Sequence, residues 1–245
     1  SDERLLVSSR PQRLVKYEEN RRVPIMGDLV EQTFTKFPRM AENTNVLLSD
    51  FAESLGKTVG QLMQENDALW EELAIINLCS DDEDECAGRM KTRDDPEKRK
   101  LYRLQAFFKK TSGKGDLKAV ERFIVEVDAN SIPIQAPSPS AAVTHLWNSG
   151  RRHPLLFSLS SDPSTLHVYL CSRAVPVQGG LRLAVLSFVA ACYLFDLKIG
   201  PYAGDLGVLF YRASDAKDGS VMEARVNTPR VVWEALRILC GLKKK

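Results

Sequence analysis

Apolar positions in the first third of the chain recur at steps of three and four, the spacing of helices that bury one face. Met26, Leu29, Val30, Phe34 and Phe37 mark a helix from Ile25 that Pro38 closes. A second helix is expected from about Thr44, with Val46, Leu47, Phe51 and Leu55 turned to a core and Gly56 as its stop. The third begins near Thr58 and carries Val59, Leu62, Asn66, Leu69, Leu73 and Ile76. Their alternation is an a/d heptad with Asn66 at an a position, where a buried amide sets the register of a parallel pair by meeting its copy. Self-association through Val59, Leu62, Asn66, Leu69 and Leu73 is one expectation. An amphipathic helix packed into its own bundle satisfies the same spacing.

The helical period stops after Leu78. Between 79 and 100, Asp81 to Glu85, Asp94 and Asp95 supply seven negative charges with few apolar groups to offset the entropy of ordering, and Pro96 breaks any helix across the segment. A flexible linker is expected there. The chain then turns basic: Lys98, Arg99, Lys100, Arg103, Lys109, Lys110, Lys114 and Lys118 face only Glu97 and Asp116, while Leu101, Leu104 and Phe108 give an apolar stripe. Val120 to Val127 alternates as a strand does, although 118–123 suits a helix equally. Pro133, Pro137 and Pro139, with Ser138 and Ser140, read as a connector.

Beyond Pro154 the pattern becomes that of a β-hairpin, with Leu155–Leu159 and Leu166–Cys171 as strands and 161–164 as the turn. Leu181 to Phe195 is apolar on nearly every side, which predicts a helix enclosed by neighbours. A strand near Gly207 to Tyr211 and a helix capped by Thr228-Pro229 are expected to follow. The resulting fold class is α+β. Its parts are a flexible basic arm over 1–24, a helical unit over 25–78, a linker over 79–100 and an α+β domain over 101–245.

Composition narrows the setting. The chain has 245 residues, 44% hydrophobic and 27% charged, enough to bury a core. Its net charge of +2 conceals the acidic and basic blocks, so local charge matters more than the average. Five cysteines, an odd number without paired metal-type spacings, favour a reducing compartment. The first residues lack the features of a signal peptide. The longest apolar run falls short of the roughly 18 residues of a membrane span. A cytoplasmic or nuclear protein is expected.

Among candidate chemistries, Ile75-Ile76-Asn77-Leu78-Cys79-Ser80 runs directly into Asp81-Asp82-Glu83-Asp84-Glu85. The segment resembles a SUMO-interacting motif. That resemblance implies that Ile75, Ile76 and Leu78 enter apolar pockets as an added strand, with Asp81, Asp82 and Glu83 meeting a basic rim. Phosphorylation of Ser80 would add further negative charge. The competing assignment leaves the apolar residues in the core at the end of the third helix. A second partner class is nucleic acid: Lys98, Arg99, Lys100, Arg103, Lys109, Lys110, Arg151 and Arg152 would contact phosphates, and Tyr102, Phe107 and Phe108 would stack on bases.

Gly56-Lys57-Thr58 is not a P-loop, because Phe51 stands where the loop needs glycine and the preceding segment is helical. No Cys/His pairing is spaced for nucleophilic catalysis or for a metal, and neither a cofactor nor catalytic residues are expected. Finally, Arg152-His153-Pro154-Leu155-Leu156, Val168-Tyr169-Leu170, Ala174-Val175-Pro176-Val177 and Tyr193-Leu194-Phe195-Asp196 together resemble the C-terminal module of transposon-like families that carry a sterile alpha motif upstream. The resemblance spans about 150–213 and brings no catalytic residues. The leading expectation is a non-enzymatic adaptor or self-associating module. A nucleic-acid-binding or packaging protein of mobile-element or viral origin comes second, and an unrecognised enzyme third.

Overall fold

The computed structural model describes residues 10–21, 26–42, 44–75, 97–98, 101, 124–128 and 138–197. Helices α1 (Arg10–Arg21), α2 (Met26–Lys36), α3 (Asn45–Ser54) and α4 (Val59–Ile75) come first, with a 3-10 turn at Pro38–Ala41 between α2 and α3. Strand β1 (Ile124–Val127), helix α5 (Pro139–Asn148), strands β2 (Leu155–Leu159), β3 (Asp162–Tyr169) and β4 (Ala174–Pro176), and helix α6 (Leu181–Leu194) follow. The fold is α+β, with a small mixed sheet in the order β1-β2-β3-β4. The pair β1/β2 is parallel, with α5 in the connection, and the other two pairs are antiparallel.

Local chemistry accounts for the ends of these helices. Thr58 and Gln61 form a capping box at α4: the Thr58 N–H donates to Gln61 Oε1 at 2.9 Å, and the Gln61 N–H donates to Thr58 Oγ1 at 3.2 Å. Gly56 ends α3 at φ +66°, where a side chain would be strained. Its N–H donates to the Glu53 carbonyl and that of Lys57 to the Ala52 carbonyl, which closes the last turn. Helix α6 ends the same way on Asp196 at φ +49°.

Both faces of the sheet are covered, which is why β2 reads as a nearly unbroken apolar run. Val127, Leu155, Phe157, Leu159 and Tyr169 pack with Ala142, Val143 and Leu146 of α5 on one side. On the other, Ile124, Leu156, Leu166, Val168 and Val175 join a larger cluster with α6 and the N-terminal helices. All but Arg182 and Leu183 of α6 are buried.

Four sequence expectations change here, the first being the hairpin turn, which lies at 160–161 because 162–164 already belong to β3. The segment 1–24 is not wholly an arm: residues 10–21 form α1, and Arg13 is only 1% exposed. Its guanidinium donates to both Asp50 carboxylate oxygens, Nε at 2.6 Å and Nη2 at 2.8 Å, fastening α1 to α3. The helical unit is not separate from the α+β unit. Val30, Phe34, Leu47, Phe51, Leu62 and Leu69 share one cluster with α6, and the Phe51 ring lies 5.1 Å from Tyr193 and the Phe34 ring 5.7 Å from Phe195. The proline-rich connector contains the start of α5: Ser138 caps it by accepting from the Ala141 N–H at 3.2 Å, and Pro139 occupies the first turn. The expected strand at 207–211 and the helix after Thr228 lie outside the described residues.

Candidate functional site

Helix α4 lies against α6 through the face that the heptad pattern selects. Leu62 and Leu69 are buried in the shared cluster, and Asn66 is 7% exposed. The Asn66 amide is turned into the interior of this chain. Its Nδ2 donates to the Arg182 carbonyl of α6 at 3.3 Å, so the seam residues Leu62, Asn66 and Leu69 serve the interior of this chain. Val59, the first of the five, is exposed, and Leu73 lies in the helix backbone with its side chain outside the description. The a/d spacing reflects α4 packing on α6, because three-and-four spacing fits any helix with one buried stripe. Asn66→Leu is accordingly expected to leave the association state unchanged in sedimentation experiments and to alter stability by about 1 kcal/mol. A dimer that changes order on this substitution would restore the seam.

Arg182, which the sequence presents as an interruption in an apolar helix, sits at the centre of this contact. Nη2 donates to Glu71 Oε1 at 2.8 Å, Nε to Glu97 Oε1 at 2.8 Å, and Nη1 reaches Asp67 Oδ1 at 3.5 Å. Its guanidinium carbon stands 5.9 Å from the centre of the Trp70 ring. The hydrogen bonds to Glu71 and Glu97 raise its already high pKa further. One cation on α6 thus holds the last part of α4 and the chain at 97, on either side of the acidic segment. Glu97 and Lys98 are helical, not part of a structureless linker, and the buried Leu101 joins the shared cluster.

Of the residues assigned to partner docking, Ile75 is the last residue of α4. Ile76, Leu78, Asp81, Asp82 and Glu83 lie outside the described residues. Strand addition by Ile75 requires the final turn of α4 to open, a low-cost event where the last carbonyls lack helical partners.

Lys98 Nζ donates to the Pro163 carbonyl at 3.5 Å, and Arg99, Lys100, Arg103, Lys109 and Lys110 lie outside the description. Arg151 and Arg152 follow α5 directly, at a corner built by the helix end. Gly150 adopts φ +83°, its N–H donating to the Trp147 carbonyl and that of Arg151 to the Leu146 carbonyl. Two side chains reach this loop from the end of β3 and the bend after it: Tyr169 Oη donates to the Arg151 carbonyl at 2.9 Å, and Cys171 Sγ donates to the Arg152 carbonyl at 3.3 Å. Trp147 is 43% exposed, and the Arg152 guanidinium carbon lies 3.7 Å from its ring centre while Nη1 donates to the Trp147 carbonyl.

No protein-family model, curated protein or solved structure matches this chain.

Trp147 was not among the aromatics that the sequence offered for stacking. Its position two residues before the Ser-Gly helix end and five before Arg152 was the available signal. Cys171 and Cys192 are held as thiols: burial pushes the Cys171 pKa up to about 11 against the opposing effect of Arg152, and raises that of the fully enclosed Cys192 well above normal. Burial lowers the pKa of His167, whose ring stacks 5.0 Å from that of Phe157. Among the described residues no cluster of His, Cys, Asp or Glu has metal-binding geometry, and no helix is long and apolar enough to cross a membrane.

Proposed function

We propose that the protein is a non-enzymatic interaction module that offers the segment Ile75 to Glu85 to a partner of the SUMO type from a fixed base. The observation that supports this reading is the double engagement of Arg182, which holds Glu71 and Glu97 at 2.8 Å each. The chain between them leaves from and returns to one point on α6. A recognition segment tethered at both ends samples fewer conformations than a free tail, so less entropy is lost when it is ordered by a partner. The apolar residues would supply pocket contacts and main-chain pairing, and the acidic block would accelerate encounter with a basic rim. The unpaired Cys171 and Cys192 support a reducing cytoplasmic or nuclear setting.

Titration of SUMO into the full chain, followed by calorimetry, tests the proposal. Saturable binding is expected, with loss of binding in the Ile75→Ala, Ile76→Ala double variant. Equal affinity of the double variant would remove the docking segment from the function.

A further inference from the structure

We propose that the corner formed by Trp147, Arg151 and Arg152 is a contact site for single-stranded nucleic acid. The site lies on the face of the sheet covered by α5, and it draws on no residue of the Ile75 to Glu85 segment. Its components have the two chemistries that such a strand requires. The Trp147 ring is a stacking surface for a base, and Arg152, lying over that ring, presents a second flat π-bearing group beside it. The Arg152 guanidinium then meets phosphate oxygens. Arg152 Nη1 is engaged with the Trp147 carbonyl, while its Nε and Nη2 make no hydrogen bond among the described residues and remain for a phosphate.

Charge complementarity selects a polyanion as the occupant. Between Asp128 and Asp162 the sequence contains no acidic residue, so the segment carrying α5, the corner and β2 has only basic ionisable groups of its own: His145, Arg151, Arg152 and His153. Arg13 pairs with Asp50, Arg173 with Glu31, and Arg182 with Glu71 and Glu97 of the same chain. The Arg152 side chain instead lies over an aromatic ring at the surface.

The corner is also preorganised. The Arg151 and Arg152 carbonyls are held by Tyr169 and Cys171, and the preceding turn is closed by the two hydrogen bonds around Gly150. Little backbone order therefore remains to be imposed on binding. The chemistry favours single strands over duplex, because only unpaired bases offer a free face to Trp147.

Fluorescence anisotropy of a dye-labelled oligothymidylate with the full chain at low salt tests the proposal. Saturable binding that weakens linearly in log salt is expected. Trp147→Ala should weaken it about five-fold or more while leaving the salt slope in place. Arg152→Gln should weaken it and reduce the slope by about 0.7. Both side chains are at the surface, and unchanged thermal melting would show that the variants are folded. Absence of binding at low salt would overturn the proposal. So would wild-type affinity in both variants, which would place the contact on the other basic segments, or equal binding of polyglutamate, which offers charge without bases.

Discussion

Asp50→Ala should lower the unfolding free energy by about 3–5 kcal/mol, because it leaves the Arg13 guanidinium buried without its counter-charge. Both side chains are almost wholly removed from water, and the two Arg13 bonds at 2.6 and 2.8 Å are the short, forked kind that a charged pair forms. Arg10 adds a weaker link, its Nε 3.5 Å from Asp50 Oδ1. The favourable Coulomb energy of the pair is largely offset by the desolvation of two ions, so intact it adds little over an apolar packing of equal volume. Removing one partner keeps the desolvation cost and loses the attraction. The double variant Arg13→Met, Asp50→Leu should therefore recover most of the lost stability or exceed the wild type. Urea unfolding of the three proteins measures this. A change under about 1 kcal/mol in Asp50→Ala would mean that water reaches the pair and that α1 is not fastened to α3 as described.

Phe51→Ala should cost a similar amount, about 3–5 kcal/mol, through the loss of a buried ring and the cavity left behind. Its particular value lies in where the loss is felt. Phe51 belongs to α3 but contacts the Tyr193 ring of α6, 5.1 Å away, in the cluster that also includes the sheet residues Leu156 and Val168. A single cooperative core predicts that amide protection in α6 and β3 falls together with that in α3. Native-state hydrogen exchange distinguishes this from two autonomous units, in which the sheet and α6 would keep their protection. Retained protection in α6 and β3 would return the fold to the two-unit organisation read from composition.

Much of the local structure was legible. The helices beginning after Ile25, Thr44 and Thr58 follow from apolar spacing and from end signals such as Pro38 and Gly56, because these are short-range effects of backbone geometry. The enclosed helix Leu181–Leu194 was evident from its lack of a polar face. Two elements were concealed. Helix α1 carries Arg13 on its buried side, so its inward face looks polar until Asp50 is placed against it. Helix α5 begins inside a proline-rich stretch, where Ser138-Pro139 marks a helix start as readily as a connector.

The candidate sites divide along the same line. The apolar-acidic segment after α4 and the paired arginines at 151 and 152 are contiguous in sequence and can be found there. The meaning of Asn66, Arg182 and Trp147 depends on partners elsewhere in the fold. Asn66 could meet its copy or another backbone, and only the docking of α4 on α6 chose the Arg182 carbonyl, 116 residues away. Arg182 joins Glu71 and Glu97 for the same reason. Sequence alone determined many of the stretches that become helices and strands, since periodicity and caps act over a few residues. The tertiary structure decided which polar groups are internal ties and which face outward, because burial and charge pairing depend on segments that meet only when the chain is folded.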